Sequence, residues 1–403
     1  MAGLVSFCLL GAGCAATENF DKRLSQIVRP YRFHIVQWEA STIIKGTKQA
    51  IRSRDKATGG ETEKVKDYFD TVERIKTLKS EAEAIKAGDK TGELASLEAE
   101  LGELQPKRDS LVEAVETVIA GQIKDILFQQ GIYHPADKYI KWKANFPPLD
   151  FKLEEPPHLL VISPREGIES MREIMLRQEM DVEEMGRIEE EADRLGVSSI
   201  VVGLGGFGGT YPAFVTNEAS LRFTVDAAAE EWLHQYLFFK PLGFRYVLDL
   251  VGLARNYEIA TMNETVASMA SREIGGMVVE SYYPDLKSTD ADGEQSPKSG
   301  FDFDREMREI RRAVDDYLAQ GEVEPAEAFM EEKRGYLASK GYHIRKLNQA
   351  YFAFHGAYAD RPTSISPIGD ELERLREKSV SLKEFLETVS SLTSRKDLRE
   401  SLE

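Results

Sequence analysis

Beyond residue 14 the chain has no cysteine; Cys8 and Cys14 are its only two. A disulfide framework and a cysteine-ligated zinc are therefore excluded from everything that follows them. An excess of positive charge is missing as well. The 52 Lys and Arg face 69 Asp and Glu, a net charge of −17, which argues against a nucleic-acid backbone or an anionic membrane surface as the main partner. Charge of either sign is absent from residues 2–16, the first basic residue being Lys22. That apolar run is too short for a membrane span of roughly 20 residues but suits the apolar core of an export signal. What remains, with 42% hydrophobic and 30% charged residues over 403 positions, is ordinary for a soluble globular protein of two or three domains.

Inside the apolar run, LLGAGC places small residues before a cysteine and is similar to a bacterial lipobox. The resemblance implies lipidation at Cys14, export, and a cell-envelope protein that meets the membrane only through its lipid. Another kind of export signal, or a buried N-terminal helix of a cytoplasmic protein, are the alternatives.

Three regions are expected: a signal or lipoprotein segment over 1–16, a helical region over 17–150, and a second domain over 151–403. In the helical region, Phe33, Val36, Ile43 and Ile44 recur at mainly helical spacing, with His34 and Trp38 on one face. Residues 61–105 read as an αα-hairpin broken at AGDKTG, its second arm striped by Leu94, Leu97, Leu101 and Leu104 and closed by Pro106. A further helix is expected from Asp109 to about Gln130, stopped by Gly131. The proline-punctuated NFPPLDFKLEEPP marks the domain boundary.

After it, HLLVI reads as a strand, Arg165 to Leu195 as a helix ended by Gly196, and SSIVVGL as a buried strand. GGFGGTYPAFV joins a glycine-rich turn to a Tyr-Pro that suits an edge strand or its entry. These glycines are not a dinucleotide loop, because no helix follows directly and no acidic residue closes a βαβ unit. Close approach to a bound extended chain is another use for them. The fold class is α+β and predominantly helical.

The stretch AAAEEWLHQYLFF differs from a zinc-peptidase helix at one residue, since histidine at Glu230 would complete H-E-W-L-H. On a helix Glu230 and His234 lie one above the other, with Glu231 one step round. Two ligands could grip one ion and leave Glu231 to work on a metal-bound water. A third ligand appears in TMNETVASMASREIGG as Glu264, beside Asn263 and ahead of the small residues Ala267, Ser268, Ala270 and Ser271 that permit close helix packing. The alternative is an amphipathic helix whose glutamates face water.

The E/H-E-x-x-H helix followed by N-E-T-x-A resembles the gluzincin metallopeptidases, the thermolysin and aminopeptidase N type, over residues 155 to 360. The resemblance implies Glu230, His234 and Glu264 as metal ligands and Glu231 as general base. It further implies an edge strand binding substrate backbone at Gly209, Thr210 and Tyr211, and Tyr351 from a later helix as oxyanion donor. Ser268, one turn after Glu264, is expected to donate to one of the carboxylates, with Asn263 as a further support. The implied ion is Zn²⁺, and the harder carboxylate set also admits Mn²⁺ or Fe²⁺. The function so implied is hydrolysis of a peptide or protein substrate. The alternative is a degenerate peptidase scaffold acting as an envelope peptide-binding or structural module. The long interval between His234 and Glu264 leaves room for an inserted helix, and DLKSTDADGEQSPKSG reads as a surface loop.

Overall fold

The computed structural model describes residues 19–33, 59–87, 93–133, 146–250, 253–254, 256–286 and 301–403. Cys14, His34, Trp38 and the polar stretch over 287–300 lie outside them.

A short helix over residues 19–28 (α1) leads to Arg32, which bridges to Leu176. Helices α2 (Gly59–Ala87) and α3 (Leu94–Gln129) form the expected hairpin. Arg74 pairs with Glu100 and Lys107 with Asp67, so the arms run antiparallel. The leucine stripe is half-buried, whereas Ser96 and Glu98 beside it are exposed.

Pro106 does not close the second arm, and the two expected helices are one, with Pro106 inside α3. A proline in a helix interior loses one backbone hydrogen bond and costs about 3 kcal/mol. The helix continues because its C-terminal half is anchored: Val115, Ile119, Ile123, Ile126 and Leu127 are buried in the main core.

Two small sheets follow. In the first, β2 (His158–Pro164) lies between β3 (Arg172–Leu176) and β4 (Val197–Gly203), antiparallel to both. HLLVI is apolar without a break because both faces of β2 are covered. Leu160 and Ile162 pack with α1 and with α4 (Val182–Asp193), while Leu159 and Val161 pack against Ala350. The helix expected over 165–195 is a strand followed by a shorter helix. Pairing with β2 claims Arg172–Leu176, and α4 begins where Asp181 accepts a hydrogen bond from the Glu184 N–H. Gly196, at a φ of +84°, follows the helix as expected.

The second sheet has the order β1 (Phe151–Leu153), β6 (Ala213–Val215), β5 (Gly206–Phe207). TYPAFV is therefore not an edge strand. Its last three residues are the centre of this sheet, with Tyr211–Pro212 at the entry, where the missing N–H breaks no ladder. Among the described residues the edges are β1 and β5, the second of them formed by the glycine-rich stretch just before TYPAFV.

Helix α5 (Leu221–Phe238) packs on α7 (Tyr257–Tyr282) through Ala227, Ala228 and Leu233 against Val266, Ala267, Ala270 and Ile274. The approach is so close that a Cβ on Gly275 would overlap the Asp226 carboxylate. The expected inserted helix is present as α6 (Pro241–Leu250). Helices α8 (Phe303–Ala319) and α9 (Val323–Ser339) share a core of Met307, Ile310, Val314, Met330 and Leu337. Helix α10 (Gln349–His355) covers the first sheet, and α11 (Ile368–Lys378), α12 (Leu382–Ser390) and α13 (Arg395–Glu400) return to the main core.

A continuous α3 predicts that Pro106→Ala restores a helical hydrogen bond and raises stability by about 1–2 kcal/mol in chemical denaturation, after allowing for the freer unfolded chain. An unchanged or lowered midpoint would mean the helix is interrupted there.

Candidate metal centre

Ser220 caps α5 by accepting from the Phe223 N–H, and Asn256 caps α7 by accepting from the Ile259 N–H. With both helices fixed by the shared core, the i, i+4 pair Glu230 and His234 faces Glu264. Among the described residues these three form the group that could hold a metal, with one donor atom of each lying within 4.8 Å of the others. His234 Nε2 is 3.6 Å from Glu264 Oε2. Metal bonds of about 2.0–2.2 Å put neighbouring ligand atoms roughly 3–4 Å apart, so this pair is already spaced for one ion.

The electrostatics favour a cation. Burial, then the charge of Glu264, pushes the Glu230 carboxyl up to about 8 against the partial relief of Arg361. Burial, then Glu230 and Glu264, pushes Glu231 well above the usual carboxylate range. Without a cation these groups hold protons; a divalent ion at the same point replaces them.

The surroundings fit an ion as well. The Asn263 amide lies 3.1 Å from His234 Nδ1, and its Oδ1 is buried with no hydrogen-bond partner among the described residues. Turned end for end, the same amide accepts Nδ1–H and leaves the Nε2 lone pair toward Glu264, the tautomer a metal requires. Tyr246 from α6 donates a hydrogen bond to Glu264, and Tyr358 from the loop after α10 lines the cavity together with it. Burial, then the Glu264 charge, raises both phenols well above 10, so they remain donors.

Glu231 points another way, into a cavity of about 1690 Å³ that His234, Glu264, Tyr246 and Tyr358 also line. Glu230 is not part of that lining.

The expected supports are only partly where the sequence put them. Asn263 meets His234. Ser268 instead donates to Asp360 Oδ2 at 2.8 Å, a carboxylate that also pairs with Arg272, because one turn along α7 brings it to the loop after α10 rather than back to Glu264. Gly209, Thr210 and Tyr211 line the cavity, yet the Thr210 carbonyl accepts from Gln235 on α5 at 3.1 Å. Tyr351 packs in the cores beneath α10, its ring 4.3 Å from that of His355. Asn348 caps α10 through the Tyr351 N–H. The tyrosine that reaches the cavity from this region is Tyr358.

Sequence reasoning missed Tyr246, Tyr358 and the contact of Glu231 with the glycine-rich loop. Tyr246 lay in the stretch read only as filler, and Tyr358 follows Gly356, where helical spacing no longer relates it to the site.

Because the raised Glu230 carboxyl is protonated near neutral pH, zinc binding is expected to release protons near pH 6.5 and much less above about pH 9. In the metal-free protein the Glu230 carboxyl, raised in the folded state, contributes stability at low pH that is lost as pH rises through about 8. Calorimetry in buffers of different ionisation enthalpy measures the release; a proton count of zero near pH 6.5 would contradict the burial of Glu230 beside Glu264.

No family model matches the chain, and comparison with curated proteins and with solved structures gives no match either. What the chain does has to be read from the Glu230–His234–Glu264 group and the cavity in front of it.

Proposed function

We propose that this chain is a gluzincin-type metal-dependent peptidase in which glutamate occupies the place of the first histidine ligand. One observation carries the reading: Glu230, His234 and Glu264 converge within 4.8 Å, and Glu231, the next residue on α5, lines the same cavity as His234 and Glu264. Two carboxylates and one imidazole are a donor set suited to Zn²⁺, and their hardness also suits Mn²⁺ or Fe²⁺. A bound ion would supply a Lewis acid for a carbonyl and lower the pKa of a water.

The chain's own residues supply the rest. Glu231 takes a proton from water and passes it to the departing amine, the role of a carboxylate whose proton affinity burial has raised. Tyr358, kept protonated by burial and by Glu264, is the donor available to a developing oxyanion. Asn263 orients the His234 ring. The edge of β5 lines the same cavity and offers backbone groups to an extended peptide, which would add to the second sheet as a strand. The second anionic ligand, Glu230, weakens a metal as a Lewis acid relative to a two-histidine set, so slow turnover is part of the reading.

We propose further, on the likeness of LLGAGC to a lipobox, that the protein is anchored through lipid at Cys14 and acts on peptides or proteins in the cell envelope. No helix of the described residues is long and apolar enough to cross a membrane. The second reading, a peptide-binding module on a retired peptidase scaffold, draws on the same Glu230 substitution.

Glu231→Gln separates the two. It is expected to keep zinc and peptide binding while lowering peptide hydrolysis by about 10²–10⁴-fold, read with a mixed fluorogenic peptide set. Zinc-loaded wild type that binds peptides and cleaves none would transfer the function to the binding module.

A further inference from the structure

We infer that Gly206 and Gly208 are the residues that position Glu231, forming a notch of bare backbone that grips its carboxylate from two sides. The consequence for turnover rests on the hydrolytic reading above; the contact itself does not.

Glycine is needed at these two places for space and not for backbone conformation. Among the described residues the glycines with positive φ are Gly131, Gly196, Gly321 and Gly341; Gly206 and Gly208 have backbones that other residues adopt. A Cβ on Gly206 would overlap Glu231 Oε1 and lie 2.9 Å from Cγ and 3.0 Å from Cδ. One on Gly208 would lie 2.6 Å from Oε2, 3.1 Å from the Glu231 carbonyl oxygen and 3.4 Å from its Cα. A side-chain end can swing aside, but at Gly208 the obstacle includes the backbone of α5, which cannot.

The notch is fastened at both ends. The Gly208 backbone lies directly against the Glu231 carboxylate and the α5 backbone. Gln235, one turn along α5, donates to the Gly208 and Thr210 carbonyls at 3.4 and 3.1 Å. On the far side Gly206 and Phe207 pair with Val215 and Phe214, both fully buried. The loop therefore belongs to the core of the second sheet, and the carboxylate is set between two rigid bodies, sheet and helix. A glutamate has three side-chain rotors, whose freedom is lost when the carboxylate is fixed. The notch selects one arrangement beside the candidate ligands in advance, as a general base requires.

A double-mutant cycle tests this. Gly206→Ala is expected to lower Tm by about 2–4 °C in the wild-type background and by less than about 1 °C in a Glu231→Ala background, where the obstructing carboxylate is gone. In the zinc-loaded protein the single substitution should lower kcat by about 10–100-fold, with KM and zinc content little changed. Equal Tm losses in both backgrounds would overturn the notch. An unchanged kcat in a wild type that does hydrolyse peptide would overturn its positioning role. If wild type hydrolyses nothing, the peptidase reading fails and the thermal coupling alone decides the contact. Should Gly206→Ala fail to fold, recovery of folding in Gly206→Ala/Glu231→Ala supports the notch, and its absence overturns it.

Discussion

Two carboxylates held side by side between packed helices are the constraint that the rest of this structure answers to. Glu230 and Glu264 approach within 4.8 Å. With both ionised and an effective dielectric of about 20, their repulsion is roughly 3–4 kcal/mol, a large share of the roughly 5–15 kcal/mol that typically holds a domain together. The chain could have avoided this by turning either helix. It does the reverse, lining the α5–α7 contact with Ala227, Ala228, Ala267, Ala270 and Gly275, so that the helices close until the acidic groups meet. Packing forces the acids together, and a divalent cation or bound protons must answer.

The surrounding groups each manage part of that charge. Tyr246 donates to Glu264, and Tyr358 adds a second protonated phenol to the same cavity wall. Arg361 offsets Glu230 from the loop after α10, while the neighbouring Asp360 is occupied by Ser268 and Arg272. Asn263 addresses His234. These partners come from elements far apart in sequence: α6, α7, the loop after α10 and the glycine-rich loop. The first sheet takes part indirectly, because α10 packs on β2 and β4 and so sets where the chain carrying Tyr358 emerges.

Much of this was legible in the sequence because it depends on periodicity. The i, i+4 relation of Glu230 to His234, the small-residue face of α7, the hairpin and the strand HLLVI each follow from a local repeat. Errors came where tertiary pairing overrode local preference. MREIML has a helical pattern yet is drawn into β3 by β2. Pro106 reads as a stop and is spanned because the helix is anchored beyond it. Ser268 was assigned to the nearest carboxylate along the helix, whereas the one it meets in space is Asp360. The glycines at 206 and 208 carried the most information and the least local signal, since their reason lies on a helix further along the chain.

The central claim is that Glu230, His234 and Glu264 together bind one divalent ion. Diffraction data collected on either side of the zinc absorption edge, from crystals grown with zinc, test it most directly. The account predicts a single strong anomalous peak within bonding distance of one oxygen from each glutamate and of His234 Nε2. An ion at other residues, or none here while Glu230 turns away from Glu264, would contradict it.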